Sequence, residues 1–122
     1  MVQGGSGGAG PSNLSDAEVV RLAEQAQGRD AHIPGVYTRE DADRIGKAWV
    51  AADGGIAQVL GKGDSTIYIS GYGRRQYRTP TYKRDQGKVQ ANLESRPGNS
   101  GAWESNAHLD IAEGPPVPPG PS

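Results

Sequence analysis

Lys88-Val89-Gln90-Ala91-Asn92-Leu93-Glu94 alternates without a break between polar and apolar side chains. A period of two is the pleat of a β-strand, so Val89, Ala91 and Leu93 share one face while Lys88, Gln90, Asn92 and Glu94 share the other. Such a strand needs neighbours to pair with and an apolar layer to lie on, and the flanking sequence offers both. Upstream, Ser65-Thr66-Ile67-Tyr68-Ile69-Ser70 is rich in β-branched and aromatic residues and reads as a strand. Gly71-Tyr72-Gly73 turns the chain, and residues 74–78 return as its hairpin partner, which Pro80 ends. Downstream, residues 96–101 form a loop and His108-Leu109-Asp110-Ile111 makes a short strand that closes the sheet.

The apolar layer comes from the first half of the chain. Ser15 and Glu18 form a capping box, and Val19, Leu22, Ala23 and Ala26 follow at helical spacing until Gly28, which predicts a helix over 16–27. His32-Ile33-Pro34-Gly35 reads as a turn. Thr38 caps a second helix with acid in its first turn, and Ala42, Ile45 and Trp49 lie on one of its faces. Gly46 weakens it, so either the helix continues or the run 47–51 begins a strand. Asp53-Gly54-Gly55 and Gly61-Lys62-Gly63-Asp64 carry turn chemistry. Helices first and then a small, mostly antiparallel sheet make an α+β pattern, and no internal repeat interrupts it.

Composition sets the limits of this domain. Of the 122 residues, 1–13 are nearly all small or turn-forming and 114–122 are mostly Pro and Gly, so they read as a flexible linker and a tail around one domain at 14–113. No apolar run approaches the roughly 18 residues of a membrane span, and Met1 is not followed by the apolar core of a signal peptide. The expectation is a soluble piece whose export depends on a signal elsewhere in a longer protein. With no Cys and no Phe and only 34% hydrophobic residues, the core rests on aliphatic side chains, five Tyr and two Trp. Modest stability follows, or help from a bound partner. Absence of Cys removes disulfides and Cys-ligated zinc, and two His far apart in sequence give no reason to expect a metal or another cofactor.

The net charge of −1 conceals a pattern. Residues 1–61 carry five Lys/Arg against eight Asp/Glu, residues 62–96 carry eight against three, and residues 97–122 carry three acids alone. At the centre of the basic block, residues 74–84 place Arg74, Arg75, Arg78, Lys83 and Arg84 around Tyr77 and Tyr82. Cations with interleaved rings suit a polyanion, whose phosphates they bind and whose unstacked bases they stack; the plainer alternative is a solvated hairpin edge. On the polar face of the central strand, a Glu can take the proton of a ribose 2′-OH while Lys and Arg stabilise the phosphorane-like transition state, with Arg96 just beyond. On the last strand Asn106, His108 and Asp110 share a face, so the acid can orient the imidazole. His32, before Pro34, reads as structural or solvated. The Gly-rich turns at 61–63 and 71–73 precede no helix, which sets aside a P-loop or a dinucleotide fingerprint. Trp49 and Trp103 read as core or lid residues.

Four blocks, 45–50 (IGKAWV), 73–83 (GRRQYRTPTYK), 87–94 (GKVQANLE) and 103–111 (WESNAHLDI), occur in an order that resembles a C-terminal domain of bacterial polymorphic toxins, found on Rhs-repeat and filamentous-haemagglutinin-type carriers. The resemblance covers residues 45–111. It departs where Thr79 replaces a Pro, Leu93 a Phe and Ala107 a Gly; at Ala107, beside His108, a positive φ would be strained. The resemblance implies an effector that kills competing bacteria, secreted or delivered into the target cytoplasm as part of a larger carrier, and neutralised in its producer by a cognate immunity protein.

Together these readings predict a metal-independent endoribonuclease that is monomeric when free and leaves a 2′,3′-cyclic phosphate. Catalysis falls to His108 and Glu94 as acid and base, with Arg78 and Lys88. Arg74, Arg75, Tyr77, Tyr82, Lys83, Arg84, Gln90, Asn92, Arg96, Asn106 and Asp110 bind the RNA. Two alternatives stand beside it: ADP-ribosyl transfer from NAD, with Glu94 stabilising the oxocarbenium-like centre, and a non-catalytic module that binds nucleic acid or a partner.

Overall fold

Ser15 starts the first helix as its side chain predicts. Its Oγ accepts from the Glu18 amide at 3.2 Å, and Glu18 Oε1 accepts from the Ser15 amide at 2.7 Å. In the computed structural model, which describes residues 14–113, helix α1 then spans Asp16–Glu24 and ends at Gln25, three residues short of the predicted Gly28. Thr38 caps helix α2, Arg39–Ala51, through a 3.0 Å bond from the Asp41 amide. Arg44 ties the helices together with bonds to Asp16 at 2.7 Å and Asp41 at 2.8 Å. The expected linker at 1–13 and tail at 114–122 lie outside the described residues.

Among the described residues the strands are β1 (Asp30–Tyr37), β2 (Ile56–Lys62), β3 (Ser65–Ser70), β4 (Arg75–Lys83), β5 (Lys88–Ser95) and β6 (Ser105–Ile111). They form one sheet in the order β1-β6-β5-β4-β3-β2. The fold is α+β. Four strand pairs are antiparallel, but β1 and β6 run parallel, so the sheet is mixed. The alternation of β5 and β6 puts Val89, Ala91, Leu93, Ala107, Leu109 and Ile111 on the face that the helices cover. There they meet Val19, Ile45, Trp49 and Val50, all but fully enclosed. Each such aliphatic side chain contributes about 1.5–3 kcal/mol by leaving water. No helix among the described residues is long and apolar enough to cross a membrane.

Three readings of the sequence need correction, and the alternative left open at 47–51 is decided. Residues 32–35 are not a turn but the middle of β1, where a register shift between His32 and Val36 sets Pro34 and Gly35 outside the ladder of an edge strand. Pro80 does not end β4, because a similar shift between Arg78 and Thr81 carries the strand past it. Residues 47–51 continue α2 rather than begin a strand. A Cβ on Gly46 would stand 2.2 Å from the Tyr77 ring, so this glycine seats an aromatic side chain and does not break the helix. Finally, β6 is not the closing strand but an interior one, with β1 beyond it. Strand β2 had no signal at all; it pairs with β3 through a two-residue turn whose Gly63 takes a φ of +61°.

Candidate active site

The sheet face away from the helices is polar at its centre, and register decides which groups meet there. Pairing of β5 with β6 sets Gln90 beside Asp110, Asn92 beside His108 and Glu94 beside Asn106. Across β4, Gln76 stands beside Glu94, Arg78 beside Asn92 and Lys83 beside Lys88. The parallel pairing on the other flank brings His32 next to His108 and Asp30 next to Asn106. Together they line a cleft of about 550 Å³ with Arg78, Lys83, Lys88, His32 and His108 in its walls.

His108 is half-buried. Its Nδ1 lies 3.1 Å from the Asn92 side-chain nitrogen, whose other hydrogen goes to Asn106 Oδ1 at 2.9 Å. An amide nitrogen only donates, so Nδ1 is the bare ring nitrogen and Nε2 carries the proton. Burial, aided by Lys83 and His32 and opposed by Asp30 and Glu94, holds the His108 pKa below the ordinary histidine range, which favours this neutral ring.

Asp110 does not orient His108. It accepts from His32 Nε2 at 2.8 Å, from Gln90 at 2.9 Å and from Lys88 Nζ at 3.2 Å. Burial pushes its carboxyl up, but these bonds outweigh burial and keep it below the usual range. Glu94 shares the polar face with His108 but lies behind the cleft wall, 6% exposed. Its Oε1 accepts from Gln76 at 2.6 Å and stands 3.7 Å from Arg78. A carboxylate so enclosed serves better to hold Arg78 than to exchange protons with a substrate. Arg78 Nε is buried without a hydrogen-bond partner, and among the described residues no carboxylate pairs with Lys83. Burial and the nearby Arg78 lower the Lys83 pKa.

The rest of the cationic run disperses. Arg74 binds the buried Asp53, with Nε at 2.8 Å. Arg75 points to the helix face, its guanidinium 4.0 Å above the Trp49 ring and bonded to Glu24. Tyr77 is fully buried, with its hydroxyl bonded to Asp43, and Tyr82 packs on the helix side opposite Val89; neither ring offers a base a surface in the cleft. Arg96 stacks 3.9 Å over Trp103 and donates to the carbonyls of Gly73, Asn99 and Gly101, which fixes the loop before β6. Arg84 is exposed in the turn after β4. Gln90, Asn92 and Asn106 stand where the alternation predicts, each bonded to a charged or ring group or to another of the set. Ala107 is buried in regular β6, and among the described residues only glycines take a positive φ. The replacement of Gly at this position therefore strains nothing.

His32, read from the sequence as a structural or solvated loop residue, is half exposed as expected but lies on β1 and lines the cleft. A signal did exist: Asp30-Ala31-His32 and Asn106-Ala107-His108 are nearly the same tripeptide, and the parallel pairing lays them side by side in register. Compared with known proteins, the chain matches no family model, and neither a curated protein nor a solved structure shows significant similarity to it.

Proposed function

We propose that this domain is a toxin effector that cleaves RNA without a metal cofactor. One observation carries the reading: Lys83, which no carboxylate pairs with among the described residues, lines one open cleft with Arg78 and His108, while Glu94 and Asp110 are engaged by partners of their own. A lysine with no carboxylate partner in a half-buried cleft is a place for an anion, and a phosphodiester supplies it with two oxygens to share. The neutral imidazole of His108 then donates Nε2–H to a phosphoryl oxygen, as Lys83 and Arg78 offset the charge that builds on phosphorus. Attack by the adjacent 2′-oxygen breaks the chain and leaves a 2′,3′-cyclic phosphate, which RNA allows and DNA does not. The NAD-consuming reading has less support, because Glu94 is enclosed between Gln76 and Arg78 rather than presented to a substrate. Delivery by a larger carrier and neutralisation by an immunity protein rest on the resemblance of residues 45–111 to polymorphic-toxin domains.

The test is incubation of the purified domain with RNA and with DNA of the same sequence, in the presence of a chelator. RNA is expected to be cut to cyclic-phosphate ends and DNA to survive. His108→Ala and Lys83→Met are each expected to lower kcat by about 10²–10³-fold, the usual effect of removing one preorganised donor. Intact RNA, together with harmless expression of the wild type in bacteria, would overturn the proposal.

A further inference from the structure

The cleft holds a second imidazole, and its bonding is the reverse of the first. His32 donates from Nε2 to Asp110 at 2.8 Å, so the neutral ring keeps its lone pair on Nδ1. His108 receives a hydrogen bond at Nδ1 and keeps its proton on Nε2. The two rings occupy the same register position on neighbouring parallel strands and both line the cleft. One therefore offers it a lone pair and the other an N–H. Resting on the RNA-cleavage reading, we infer that His32, oriented by Asp110, is the general base of the reaction, with Lys83 as the acid on the opposite wall.

His32 Nδ1 takes the proton of the 2′-OH as the 2′-oxygen forms its bond to phosphorus. The bond from phosphorus to the 5′-oxygen breaks with its electron pair, and the 5′-oxygen leaves with a proton from the Lys83 ammonium. The products are a 2′,3′-cyclic phosphate and a free 5′-hydroxyl; His32 ends protonated and Lys83 neutral, and solvent restores both. Asp110 provides the countercharge that the His32 imidazolium then needs, as a carboxylate does behind any imidazole base. Lys88 shares the same Asp110 oxygen, and the half-buried carboxylate, bonded to both, fixes the ring. The titratable and charged groups that face His32 are Asp30 on its own strand, Asp110 and His108 on β6, Lys88 on β5, Arg78 and Lys83 on β4 and Asp85 in the turn after β4. Acids and fixed cations around the cleft are equal in number, three of each, and one carboxylate stands directly against the base.

Cleavage of a fluorophore-quencher oligoribonucleotide, followed from about pH 5 to pH 9 across the range where His and a depressed Lys titrate, tests the assignment. The wild type is expected to give a bell: kcat climbs with pH on the acidic side, as a general base requires, and declines, earlier than an ordinary lysine would dictate, as Lys83 loses its proton. His32→Gln is expected to abolish the acidic limb and lower kcat by about 10²–10⁴-fold with KM nearly unchanged. His32→Ala is expected to regain part of the rate when imidazole is added, and Asp110→Asn to give an intermediate loss. His32 is exposed on an edge strand, so these changes are compatible with folding, which circular dichroism checks. If the wild type cleaves but His32→Gln keeps the acidic limb and stays within about threefold in kcat, against the loss expected of a base, the assignment fails alone. A wild type that cleaves no RNA overturns the underlying reading and the assignment with it.

Discussion

Asp53 is the residue on which the turn between β3 and β4 depends. It is 4% exposed, yet it accepts from Ser70 Oγ at 2.8 Å, from the Arg74 amide at 3.1 Å and from the Arg74 guanidinium. Burial pushes its carboxyl up, but the bonds from Arg74 and Ser70 prevail and leave it below the usual range. Asp53→Ala strands the Ser70 hydroxyl and the Arg74 amide, and the Arg74 side chain is half exposed to water. The expected loss is therefore the smaller figure for orphaned polar groups, about 1–3 kcal/mol, read as a lower denaturant midpoint at unchanged m. An unaltered midpoint would show that the turn holds without it. The same scale shows what a sequence conveys about chemistry. The polar set on β5 and His108 on β6 were legible because alternation fixes the face of every residue. The partners of those groups were not. Asp110 lies two residues from His108 and on its face, but its bonds go to His32, Gln90 and Lys88. Arg74, Arg75 and Arg96 look like one basic surface in a linear string and turn to three different structural tasks once the sheet twists them apart.

At the scale of elements, local patterns were reliable and long-range pairing was not. Strands β3, β4 and β5 and both helices announce themselves through alternation, β-branched runs and caps. Strand β1 does not, since Pro34 and Gly35 imitate a turn and its only strand partner is β6, at the far end of the described chain. The length of α2 was ambiguous for a related reason: Gly46 answers to the Tyr77 ring, which no local window contains. Gly46→Ala puts two effects in opposition. Helix propensity gains about 1 kcal/mol, while overpacking against an enclosed ring costs about 1–3 kcal/mol or more. With a Cβ only 2.2 Å from Tyr77, packing wins, and a lower Tm is expected despite the better helix former. A rise in Tm would mean that Tyr77 moves aside freely. Edge strand β2 is the opposite case, with Val59 and Leu60 57% and 46% exposed. Val59→Thr there is expected to change stability by less than about 0.5 kcal/mol in the same melts, and a larger loss would mean that β2 is covered in solution.

For the whole molecule, acid is the destabilising direction. Asp16, Asp53, Asp110 and Glu113 all have carboxyls lowered in the folded state, so the unfolded chain binds their protons first. Their contribution is present above the unfolded carboxylate range near pH 4 and is lost as pH falls through the folded values. His108, also lowered, acts earlier with the same sign: below roughly pH 6.5 the unfolded imidazole takes up a proton that the folded one resists. Tm is thus expected to be level near neutrality, to decline gently as histidine titrates and then steeply below about pH 4; His108→Asn removes the gentle stage. A Tm that stays constant down to about pH 5 would contradict the burial of His108.

The placement of β6 between β1 and β5 has a consequence for how the domain comes into being. On a ribosome, residues 105–111 emerge after every other strand of the sheet, and until they slot in, β1 has no strand to pair with and the two histidines ride on separate lengths of peptide. Under the proposed function, a nascent or prematurely terminated copy lacks the assembled cleft, and activity is expected only once translation has run through β6.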